Sequence, residues 1–105
     1  ERYKAIWDGA SVKLDSLGGK KWADQFHIWT LEWNENEMKI FVDDLLLNSI
    51  DLKQSINKSD GKNPFRQPHY LLLNLAIGGA MGGAVDDTIF PAQFEIDHVR
   101  VYQRR

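Results

Sequence analysis

The sequence predicts an all-β fold, an antiparallel β-sandwich or jelly roll, on three observations. Turn residues cut the chain into short segments, and those segments alternate apolar and polar side chains with a period of two. No stretch carries a sustained 3.6-residue apolar period, and there is neither an internal repeat nor a heptad. At 105 residues the chain has room for one core but not for two packed domains.

The elements follow in order. Tyr3–Asp8 and Ser11–Asp15 flank an Asp8-Gly9 step and read as a hairpin, and Gly18-Gly19-Lys20-Lys21 is the loop after it. Phe26–Trp33 is the longest aromatic and β-branched segment and reads as a strand, turned back at Asn34–Asn36. Met38, Ile40 and Val42 alternate with Lys39 and Asp43 in the next strand. Asp43-Asp44 supplies a turn, and Leu45–Ile50 returns. Residues 51–64 are polar and rich in turn formers, a surface loop with at most a short helical turn near Leu52–Ile56. In His69–Ile77 the odd positions Leu71, Leu73, Leu75 and Ile77 are aliphatic, while the other parity mixes Tyr70, Leu72, Asn74 and Ala76. A glycine-rich loop, residues 78–83, precedes a last strand at Gln93–Gln103. There Phe94 and Ile96 take one parity and Val99 and Val101 the other, so a β-bulge is expected at Asp97-His98.

Composition excludes several classes of function. A net charge of −2 gives no electrostatic footprint for nucleic acid or an anionic membrane. With no cysteine there are no disulfides, thiolate zinc sites or cysteine nucleophiles. No apolar run is long enough to span a bilayer, and Glu1-Arg2-Tyr3-Lys4 is no signal peptide, so any export signal is expected upstream of residue 1.

Chemistry-bearing motifs are sparse. The glycine-rich loop lacks the following helix and the Lys-Ser/Thr pair of a phosphate-binding loop, and Asp86-Asp87 would repel a phosphate. His27, His69 and His98 are too far apart in sequence for metal-ligand spacing and read as packed or solvated. The serines have no nucleophile-elbow glycines. Of the carboxylate pairs, Glu35/Glu37 flank a turn and read as solvated, and Asp86/Asp87 diverge. Glu95/Asp97 share a strand face and read as a solvent face or cation site. Trp7, Trp22, Trp29 and Trp33 are either core or a stacking platform for sugar rings.

The segments Phe26–Asn34, Met38–Asp43, Pro68–Gly79, Phe90-Pro91 and Asp97–Gln103, in this order and spacing, resemble the C-terminal motifs of family 16 glycoside hydrolases, the laminarinase, lichenase and β-glucanase group. The resemblance implies a concanavalin-like jelly roll with a concave sugar cleft. It implies a secreted, periplasmic or cell-surface enzyme that cleaves β-glucan-type polysaccharides with retention of configuration. On it, residues 1–105 are the C-terminal portion of a single hydrolase domain, with the motifs at 26–103. The family's Glu-x-Asp-x-x-Glu strand does not occur in the sequence. No catalytic residue is therefore assigned, and the chain alone is expected to be inactive. Its expected partners are a polysaccharide and either the missing N-terminal half or another copy of the chain. The alternative is a non-catalytic, lectin-like jelly roll.

Two residues carry over from the family. Asn74 matches the cleft Asn of the Asn-Leu strand and is the expected substrate-binding residue. Asp97 matches an Asp that helps hold a structural calcium in many members, so no cofactor is required beyond at most that ion. Met81 stands where many members carry Trp in Gly-Gly-x-Trp-Gly-Gly, so the resemblance supplies no stacking ring there.

Overall fold

A computed structural model describes residues 6–104. They form two compact units, 6–69 and 70–104.

The 6–69 unit is built on an antiparallel sheet of three strands in the order β1 (Trp29–Trp33), β2 (Glu37–Val42) and β3 (Leu45–Asp51). The expected central hairpins are present, each closed by polar side chains. Between β1 and β2, Asn34 Oδ1 accepts the N–H groups of Asn36 and Glu37 at 2.8 and 2.9 Å. Between β2 and β3, Asp43 and Asp44 both adopt positive φ, 46° and 68°, the primed geometry that a two-residue hairpin needs to match strand twist.

Because directly opposed residues share a face, the register divides the sheet by chemistry. Trp29, Leu31, Trp33, Met38, Ile40, Val42, Leu45 and Ile50 lie on one face, with Asn48 among them. Thr30, Glu32, Lys39, Phe41, Leu46 and Ser49 lie on the other. Only the corner of the apolar face near the turn is sealed: Val42 is 1% exposed, whereas Trp29 is 65% exposed.

Several expectations are corrected. Ser11–Asp15 is not a strand: residues 6–13 take no regular structure, and single helical turns follow at α1 (Leu14–Leu17) and α2 (Lys20–Ala23). Residues 3–5 of the expected first strand lie outside the described residues. Gly18 and Gly19, at φ 129° and 70°, separate the two turns where an uninterrupted helix could not form. The bulge lies between Ile40 and Phe41, where Ile40 opposes Asn48 and Phe41 opposes Leu46, leaving Leu47 as the extra residue. The expected 51–64 loop is present after β3, with one turn closed by Ser55 N–H donating to the Leu52 carbonyl, but it is not a surface loop at its ends: Asp51 belongs to β3, and Leu52 and Asn63 are buried. The 3₁₀ turn η1 (Pro64–Arg66) ends it.

In the 70–104 unit, residues 70–77 and 92–104 join no ladder, so the strands expected at His69–Ile77 and Gln93–Gln103, and the bulge at Asp97-His98, do not form. A period of two specifies which side chains share a face, but a ladder also needs a neighbouring backbone, and neither segment has one among the described residues. Between them lie the turn α3 (Gly79–Gly82) and the 3₁₀ turn η2 (Asp87–Ile89). Gly78 is held at φ 73°, and a Cβ on it would stand 2.9 Å from Val85 Cγ2. Among the described residues no helix is long and apolar enough to cross a membrane.

Candidate functional site

The two residues singled out from the family pattern both fall in the 70–104 unit. Asn74 is exposed in the ladder-free segment, and its aliphatic neighbours Leu71, Leu73, Leu75 and Ile77 are exposed too. Asp97 is also exposed, and its one side-chain partner among the described residues is His98, whose Nδ1 lies 3.4 Å from Asp97 Oδ2. No hydrogen bond joins Asn74 to Asp97 among the described residues. Calcium takes six to eight oxygens. The described residues contain no group of three or more His, Cys, Asp or Glu able to hold a metal, so they do not make a calcium site by themselves.

Of the carboxylate pairs, Glu37 forms a surface ion pair with Lys39 at 3.7 Å. Asp86 opens η2, accepting the Thr88 hydroxyl at 2.6 Å and the Thr88 N–H at 3.0 Å, and those two bonds lower its pKa. On the polar face of the sheet, Thr30, Glu32, Phe41 and Asp44 border a shallow hollow of about 110 Å³. Ligand pockets generally start near ~300 Å³, so this hollow does not enclose a sugar.

The most constrained polar cluster involves residues that sequence reasoning did not join. His27 lies just before β1. Its Nδ1 meets Asp43 Oδ2, its Nε2 meets the Trp22 carbonyl at 2.5 Å, and its ring stacks on the Trp22 indole with centroids 3.7 Å apart. The other Asp43 oxygen accepts the Ile28 N–H at 2.9 Å. The Trp22 carbonyl, and after it the Asp43 carboxylate, raise the imidazole above its ordinary 6.5 against the opposing effect of burial. The Ile28 N–H and then His27 lower Asp43 from its ordinary 3.8. The signal was the hairpin itself: carrying the β1–β2 register one residue past Trp29↔Val42 sets Ile28 opposite Asp43, beside His27.

With this geometry in view, the relatives of the chain are informative. The family model for glycosyl hydrolases family 16 matches residues 5–100. A beta-glucanase of Rhodothermus marinus is 42% identical over 82 residues, covering 74% of this chain and 29% of that protein. A glucan endo-1,3-beta-glucosidase A1 of Niallia circulans is 30% identical over 92 residues, 83% of this chain and 14% of that protein. A beta-1,3-glucan-binding protein of Penaeus monodon is 35% identical over 74 residues, 57% of this chain and 20% of that protein. No solved structure matches the chain. The chain belongs to glycosyl hydrolases family 16. It spans less than a third of the length of each of these relatives.

Proposed function

We propose that the chain is part of a retaining glycoside hydrolase that acts on β-glucan-type polysaccharides. The observation that carries this reading is the family match over residues 5–100, supported by relatives named as glucanases. Retaining hydrolysis needs two carboxyl groups about 5–5.5 Å apart across the scissile bond. The family's Glu-x-Asp-x-x-Glu pattern is absent from the sequence, so in this reading another part of the hydrolase domain contributes the pair and this chain alone is inactive.

In the complete domain, residues 70–77 become a ladder-bonded strand, Asn74 reaches the polysaccharide, and the exposed apolar faces are covered. The reaction needs no cofactor, and a structural calcium at Asp97 would draw its remaining oxygens from outside the described residues. The enzyme works outside the cytoplasm, since a polymeric glucan does not cross the membrane to reach it.

The test is hydrolysis of β-1,3- and mixed-linkage glucans by the polypeptide that carries this segment with the rest of its domain, with proton NMR of the first-formed anomer. Release of β-configured product, weakened at least tenfold by Asn74→Ala, is the expected result. Absence of hydrolysis with retained glucan binding would instead favour a binding module, the reading suggested by the Penaeus monodon relative's name.

A further inference from the structure

His27 presents both ring nitrogens to acceptors, a carboxylate at Nδ1 and a backbone carbonyl at Nε2. A neutral imidazole has one N–H and one lone pair, so in either tautomer one lone pair would face an oxygen lone pair. Only the imidazolium, with two N–H groups, satisfies both contacts. The side chain is 9% exposed, so water has little access to replace a lost bond. The Trp22 indole lies stacked on the ring, an arrangement that favours a cation.

We propose that His27 is a charged pin that fastens α2 to the β2–β3 turn, and that loss of its proton releases α2 from the sheet. The three parts joined are separate in sequence: Trp22 in α2, His27 before β1, and Asp43 in the turn. Asp43 stays in place after release, because the Ile28 N–H holds its other oxygen and Asp43 N–H donates to the Ile28 carbonyl at 2.9 Å. α2 has no such second tie to the sheet among the described hydrogen bonds: its backbone groups bond to Gly19, Asp24 and Gln25 within the local turn. The charged groups carried by the joined elements are Lys20, Lys21 and Asp24 in and beside α2 and Asp43 and Asp44 in the turn. Of these, Asp43 is the one whose charge bears on the ring.

The direction of the pH response follows. A histidine held above its ordinary value contributes stability that is fully present below 6.5 and lost as pH rises through the folded-state value. Asp43, held below 3.8, contributes stability present above that value and lost as pH falls through its folded-state value. The pin is closed between those limits and opens on either side, towards alkali by deprotonation of the ring and towards acid by protonation of the carboxylate.

The test is a long-range proton–nitrogen NMR titration of the ¹⁵N-labelled 105-residue chain, with the same chain in urea as reference. The expected result is a His27 ring with both nitrogens protonated below a midpoint that lies above its urea value, the difference reduced but not abolished in Asp43→Asn because the Trp22 carbonyl contributes most. Amide exchange in residues 20–25 should then accelerate through that midpoint beyond the intrinsic pH dependence, while the β2–β3 ladder does not. A neutral tautomer at a pH below the urea midpoint, a folded midpoint at the urea value, or α2 protection that tracks the ladder throughout would each overturn the proposal.

Discussion

The amide of Asn63 closes the long loop onto Leu52, with Nδ2 donating to the Leu52 carbonyl at 2.5 Å. Its Oδ1 accepts the Phe65 N–H at 3.0 Å and caps η1. Both residues are buried, Leu52 completely, so one side chain satisfies a buried carbonyl and a half-buried N–H. Asn63→Asp keeps the acceptor for Phe65 but sets an oxygen against the Leu52 carbonyl, and Asn63→Ala removes both bonds. Leaving a buried acceptor unsatisfied costs about 1–3 kcal/mol. Each variant should lower the urea midpoint of unfolding by a corresponding amount. An unchanged midpoint in Asn63→Asp would show that the Leu52 bond contributes nothing.

The Asp43-Asp44 turn gives a prediction with opposite signs at adjacent positions. Both residues occupy the left-handed region, where an L residue is strained by roughly 1–2 kcal/mol and Asp by less. Asp44 makes no hydrogen bond among the described residues, so Asp44→Gly should stabilise the hairpin by about 0.5–1 kcal/mol. Asp43→Gly relieves the same strain but removes the acceptor for Ile28 N–H and the partner of His27, and should destabilise. Thermal unfolding of the two variants side by side checks the contrast.

The central sheet was legible because each hairpin writes its own partner into the adjacent sequence. Met38, Ile40 and Val42 alternate, two turn residues follow, and the strand that pairs with them begins at once. Leu71–Ile77 alternates as clearly, and Phe94–Val101 alternates on either side of its slip, yet no neighbouring segment among the described residues supplies their partner, and alternation alone does not make a ladder. The parity slip at Asp97-His98 predicts a bulge there, while the bulge that forms lies at Leu47, within the run Leu45-Leu46-Leu47, where three successive leucines hide the register. The site was legible in part. For His27 the sequence leaves packed and solvated both open, and its partner is obscured because Asp43 reads from sequence as a turn residue and nothing more.

The apolar sheet face gives a prediction that differs between the chain and the complete domain. Trp29 and Leu31 are more than half exposed in the 6–69 unit. Contiguous exposed apolar surface of this kind drives association. The isolated chain should bind an apolar dye and elute above 12.1 kDa in a concentration-dependent way. Leu31→Thr should reduce both effects at little cost in stability. In the complete family 16 domain, where the proposed sandwich covers this face, the same substitution should cost about 2–5 kcal/mol, the scale of truncating a buried leucine. An equal, small effect in both settings would mean that no second layer covers Leu31.

Asp86 offers a pH prediction that does not depend on the sheet. The Thr88 hydroxyl first, and the Thr88 N–H second, stabilise its charged form and lower its pKa from 3.8. A group lowered in this way contributes stability present above its unfolded-state value, and that contribution is lost as pH falls through the folded-state value. The η2 turn should therefore persist at pH 5 and loosen in stronger acid, later than an ordinary aspartate would allow. Thr88→Val removes the hydroxyl and keeps the backbone N–H, so it should return the Asp86 midpoint most of the way to 3.8 without abolishing the turn at neutral pH. A carbon-detected titration of the Asp86 carboxyl in the two chains measures both midpoints. Coincident midpoints would show that the Thr88 hydroxyl does not hold the charge.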